Sequence, residues 1–154
     1  MKLERWALVA EIVGAIAVVI SLVYVGSGVR QNTDAILSSN HQNLVAMDMN
    51  KNAWFRDAEF AALYTSGLEN VDSLSASELQ QFNVFLADGL NVWEYAFISH
   101  DRGLMDDTIW EGYDRFYSSQ LRLPSYRSFW EGNRDGWTEE FQHHADSVLI
   151  ATEN

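Results

Sequence analysis

The chain has 154 residues and no cysteine, which excludes disulfides, thiol nucleophiles and thiolate metal sites together and leaves the redox compartment open. Its formal net charge is −12, unevenly spread: residues 1–30 carry three basic and two acidic side chains, a net of +1, so residues 31–154 carry −13. A surface of that sign disfavours nucleic acid and anionic lipid as partners and suits solubility or a basic partner surface.

The run from Ile12 to Val29 holds 18 residues without a charge. As a helix it is roughly 27 Å long, close to the hydrocarbon thickness of about 30 Å. Ala7 to Ala10 extend the apolar character past Glu11, and no comparable run follows Arg30. The pattern predicts an N-terminal tail over residues 1–5, a transmembrane helix over 6–30 and an acidic, all-helical extramembrane domain over 31–154. A cleaved signal peptide is the rival reading, with Lys2 and Arg5 as its basic region and Gly26-Ser27-Gly28 as its cleavage site. The apolar run is too long for that. It also leads without a turn signal into further helical sequence, Gln31 to Met49, so an uncleaved anchor is expected. A buried core helix fits poorly beside so polar a remainder.

Trp6 and Tyr24 stand where interfacial aromatics sit, and Glu11 and Arg30 bracket the span at headgroup level. Lys2 and Arg5 against Arg30 favour a cytoplasmic N-terminus, which leaves the domain outside, periplasmic at a bacterial inner membrane. Along the span, Ala10, Gly14, Ala17, Ser21 and Gly28 form a face of small residues. Helix backbones approach closely at such faces in lipid, where packing rather than hydrophobicity drives association. This face is the expected contact with a homo-oligomer partner or other membrane-protein subunits. A pore walled by Ser21 and Ser27 is disfavoured by how little of the face is polar.

Beyond the span, helical spacing of Ala35, Ile36, Leu37, Leu44, Val45 and Met49 continues the first helix up to Asn52. A short helix is expected from about Asp57 to Ser66, closed by Gly67. Ser75-Ala76-Ser77-Glu78 has the form of a capping box. It opens a long helix striped with Leu79, Phe82, Leu86, Gly89, Trp93, Ala96 and His100, which Gly103 ends. Asp106 or Asp107 caps the next, with Ile109, Trp110, Tyr113, Phe116 and Tyr117 on its apolar side. Pro124 suits the first turn of a short helix carrying Tyr126, Phe129 and Trp130. Thr138 caps the last helix, with Glu139 and Glu140 placed to favour its dipole. No stretch alternates like a strand for more than four residues, so the fold class is all-α: one N-terminal transmembrane helix extending into a small, aromatic-rich bundle.

Glu11-Ile-Val-Gly-Ala-Ile-Ala-Val-Val, Leu22-Val-Tyr-Val and Val29-Arg-Gln-Asn-Thr33 together resemble a bacterial family of small single-pass membrane proteins of uncharacterised function. The resemblance extends to Ser75-x-x-Glu78 with Phe82, to Glu94-Tyr95-Ala96-Phe97, to Arg102-Gly103-Leu104 with Trp110-Glu111-Gly112-Tyr113, and to Phe129-Trp130 and Thr138-x-x-Phe141. It implies an anchored helical domain and supplies no activity. Relatives of that pattern carry further basic residues after the Gln-Asn-Thr, where this chain has Asp34 and Ile36.

Candidate chemistry is sparse. Glu140-x-x-His143 has the spacing found in di-iron bundles and His144 adds an imidazole, but such sites need two copies and further glutamates. A surface histidine pair is therefore expected, with Glu140, His143 and His144 only weak metal candidates. His100 is expected as a helix C-terminal dipole partner, and His41 has no ligand nearby in sequence. Glu94, between Trp93 and Tyr95, is a carboxylate on the most aromatic helix; an internal ion pair to Arg102, Arg115 or Arg127 is its expected role. No nucleophile elbow, phosphate loop, dinucleotide fingerprint or His-Glu-x-x-His is present. The expectation is a non-enzymatic interaction or accessory protein without a cofactor. A metal- or cofactor-binding helical enzyme domain tethered to the membrane, using Glu94, Glu140, His143 and His144, is the alternative.

Overall fold

The computed structural model describes the backbone of residues 2–151 and the side chains within that range except those of residues 2–4 and 9. All regular structure among them is helical: α1 (Lys2–Asn52), α2 (Ala58–Glu69), α3 (Ala76–Asp101), α4 (Asp107–Leu121), α5 (Pro124–Asn133) and α6 (Glu139–Ile150), with short 3₁₀ turns at Ala53–Arg56, Val71–Ser73 and Arg134–Gly136. The chain divides into two compact units, residues 1–38 and 39–154. The stretch expected as an N-terminal tail is already helical from Lys2.

In the first unit every described side chain up to Ala35 is exposed, and only Ile36 and Leu37 are half-buried. Tyr24 is 80% exposed and Trp6 74%, and no residue of the most apolar 18-residue window of α1 is buried.

The second unit is built on α3, whose start is fixed by its own sequence. Ser75 Oγ accepts from the Glu78 amide and Glu78 Oε2 accepts from the Ser75 amide at 2.8 Å, so two orphan donors of the first turn are satisfied reciprocally. These bonds hold the Glu78 carboxyl below its ordinary range. Gly103, at φ +66°, takes the left-handed conformation that ends α3. Asp57 and Asp106 cap α2 and α4 by accepting from the amides two residues on, and Pro124 opens α5.

The stripe on α3 faces two core clusters. Phe82, Phe85 and Leu86 pack with Phe60 and Leu63 of α2 and Tyr126 of α5. Further along, Leu90, Trp93 and Ala96 pack with Leu44, Tyr117, Leu121, Trp130, Phe141 and Ala145. Phe82, Trp93, Leu86, Ala96, Leu121 and Phe141 are fully buried, each large one stabilising the domain by roughly 1.5–3 kcal/mol.

Two local expectations are corrected. Gly67 does not end α2, which runs on to Glu69. It is a glycine because Phe82 lies against it, and an added Cβ would sit 2.7 Å from Phe82 Cε2. Thr138 precedes α6, but its hydroxyl makes no capping bond there; it is engaged by Glu94, as described below.

Candidate functional site

On α1 the small residues Ala10, Gly14, Ala17, Ser21 and Gly28 are all exposed. A Cβ added at Gly14, Gly26 or Gly28 would meet nothing within 4 Å, so close approach to another surface is sterically open along this stretch. Ser21 Oγ donates to the Ala17 carbonyl at 2.8 Å, and Thr33 Oγ1 to Val29 at 3.1 Å. Both hydroxyls are thereby satisfied within the helix, the arrangement that lowers the cost of a polar group in an apolar medium. The interface set Trp6, Glu11, Tyr24 and Arg30 is exposed as well.

In the second unit the expected metal candidates part company. His143 is exposed, with Nε2 3.9 Å from Glu139 Oε1, and Glu140 is exposed beside it. His144 turns the other way. Its Nε2 lies 2.7 Å from Asp114 Oδ1, the same oxygen that accepts from the indole of buried Trp93 at 3.0 Å. The imidazole stacks on Phe97 (5.0 Å, 25°) and lies 5.4 Å from the rings of Trp93 and Trp110. Burial pushes the Asp114 carboxyl up, but the His144 and Trp93 bonds outweigh it and hold the group below its ordinary value. This pair ties α4 to α6 and α3 inside an aromatic shell. Among the described residues no three histidine, aspartate or glutamate side chains converge as a metal site would require.

Glu94 does not pair with Arg102, Arg115 or Arg127. Its Oε1 accepts from the Thr138 amide at 2.7 Å and from the Thr138 hydroxyl at 2.8 Å, so a carboxylate of α3 caps the start of α6 from 44 residues away. His100 bridges forward: its ring stacks on Trp110 at 5.2 Å and its Nε2 lies 3.1 Å from Asp107 Oδ1 at the start of α4. His41 is exposed.

Sequence reasoning passed over Lys51. It is 6% exposed, with Nζ 4.3 Å from the Phe85 ring centroid and Cε 3.0 Å from where a Cβ on Gly89 would stand. Burial lowers its pKa, against the pull of Asp48 and Asp88. The available signal was register: Lys51 lies seven residues beyond Leu44, on the stripe of α1 that packs into the domain. Three acids thus take indole, imidazole or amide donors, and Trp130 adds a fourth such link to Asp146 at 2.9 Å. Each of these pairings joins two helices of the domain.

No protein-family model, curated protein or solved structure matches this chain.

Proposed function

We propose that the protein is a non-enzymatic, single-pass membrane-anchored interaction or accessory protein, a member of the small bacterial family its blocks resemble, held in an inner membrane by α1. The observation that carries the reading is the exposure, among the described residues, of all 18 residues of the uncharged stretch of α1 from Ile12 to Val29. In water such a surface is far larger than a soluble monomer exposes; a lipid environment or a partner helix accounts for it. The small face of Ala10, Gly14, Ala17, Ser21 and Gly28 is the contact through which α1 packs into a homo-oligomer or a larger membrane complex. The acidic domain, on the periplasmic side by the charge bias, meets the extramembrane parts of that partner.

Gly14→Leu tests the contact face. It adds apolar surface, so membrane attachment is kept, while the close approach is blocked. The assembly size in mild detergent extracts should fall; an unchanged size refutes the face. Protease added to spheroplasts should remove the domain and leave the anchor, and survival of the domain until lysis would place it in the cytoplasm. Alkaline carbonate extraction that released the intact chain would refute the anchor itself.

A further inference from the structure

An open cleft of about 620 Å³ lies between the end of α1 and the first half of α4. Its polar wall is the Asp48 carboxylate, half-buried on α1. Oδ2 accepts from Asn52 Nδ2 at 3.0 Å and Oδ1 takes only a long 3.4 Å bond from the buried Tyr117 hydroxyl. A carboxylate has about four acceptor sites, so both oxygens keep capacity. Tyr113 and Phe116 of α4 supply aromatic walls; both rings lean on Tyr117, at 6.4 and 5.0 Å. Phe116 is half exposed, although its neighbour Tyr117 is buried. Gly112, between them and the helix start, leaves room. The cleft itself is lined by one carboxylate, two aromatic rings and no basic side chain; Lys51, whose charge Asp48 attracts, lines a separate recess with Asp88 and Asn91. Burial, with the nearby Asp48 charge, raises the Tyr113 hydroxyl pKa, so that ring stays neutral at physiological pH.

We propose that this cleft binds a small quaternary ammonium cation, held by the Asp48 carboxylate and the Tyr113 and Phe116 rings. The chemistry is charge pairing combined with cation–π attraction, the combination that distinguishes an organic cation from a hydrated metal ion or a neutral molecule of the same shape. A cleft of this size holds such a ligand with space to spare, and the net charge of −13 on residues 31–154 raises the local concentration of cations.

The test uses the full chain in dodecyl maltoside micelles, which contain no amine, with choline chloride and its uncharged isostere 3,3-dimethylbutan-1-ol as probes. Saturation-transfer NMR read on the probe methyl groups should show saturable choline binding. Binding should weaken by roughly fivefold or more in Asp48→Asn and in Phe116→Ala, the scale of losing one charge or cation–π contact. The neutral isostere should be weaker by a similar factor. Phe116→Ala removes a half-exposed ring, so it is the variant that keeps the fold if Asp48→Asn disturbs the Tyr117 bond; near-UV circular dichroism checks both. Added phosphatidylcholine that displaces free choline identifies the amine as a lipid headgroup, and failure to displace it identifies a free amine. Absence of saturable binding, equal binding of the isostere, or full binding by a folded Phe116→Ala overturns the proposal.

Discussion

Replacing Gly67 by alanine sets two effects against each other. Alanine in place of glycine favours a helix by up to about 1 kcal/mol. Here, however, the new methyl would stand 2.7, 2.8 and 3.0 Å from three carbons of the Phe82 ring. That ring is fully buried and braced by Tyr64 at 5.9 Å, so it has nowhere to swing. Overpacking of this kind costs about 1–3 kcal/mol, and with the full helix gain set against it the net expectation is a loss of up to about 2 kcal/mol. Gly112 is the matched control: it is in the interior of α4, and a Cβ there meets nothing within 4 Å, so Gly112→Ala should be neutral or stabilising by up to about 1 kcal/mol. The gap between the two variants is then about 2 kcal/mol, or roughly 8 °C in melting temperature for a domain of this size. Near-UV circular dichroism melts in the same detergent measure it. If Gly67→Ala melts at or above Gly112→Ala, the ring does yield, and the close packing of α2 on α3 is not what makes residue 67 a glycine.

Asp114→Ala should cost about 2–3 kcal/mol, because it strands the Trp93 indole N–H in the core and removes the His144 partner; urea titration with Trp fluorescence reads it. Since the folded Asp114 carboxyl sits below its unfolded value, its stabilisation is complete above about pH 4 and is lost as pH falls through the folded value, so the wild-type chain should lose its advantage over Asp114→Asn in acid. Lys51→Met should flatten the alkaline stability profile. The folded lysine binds its proton more weakly than the unfolded one, so wild-type stability rises with pH from the lowered value towards about 10.4, a rise the variant lacks when melted between pH 8 and 10. Glu94→Ala should release the first turn of α6, seen as faster amide exchange at Thr138, with about 1 kcal/mol lost; unchanged exchange would remove the long-range cap.

Features that operate over a few residues are legible in the chain before it folds. The capping box at Ser75 and Glu78, a capping acid at Asp106 or Asp107, Gly103 at the end of α3 and Pro124 at the opening of α5 each act within one turn, so spacing alone reveals them, whereas Asp57 stands ahead of α2 as its cap and not inside it. The uncharged run in α1 is legible for the same reason, since its length and composition are properties of one continuous segment. Tertiary structure decided the rest. Glu94 meets Thr138 across 44 residues, His144 meets Asp114 across 30, and Asp48 receives the Tyr117 hydroxyl across 69. An acid among several arginines can pair with any of them until the helices dock; which faces meet is set by how Trp93, Phe141 and Tyr117 fill one core. Docking likewise buries Lys51 and turns Gly67 from an expected helix end into the gap that a Phe82 ring occupies, because whether a position needs a small or a charged side chain depends on the neighbour that arrives from elsewhere in the chain.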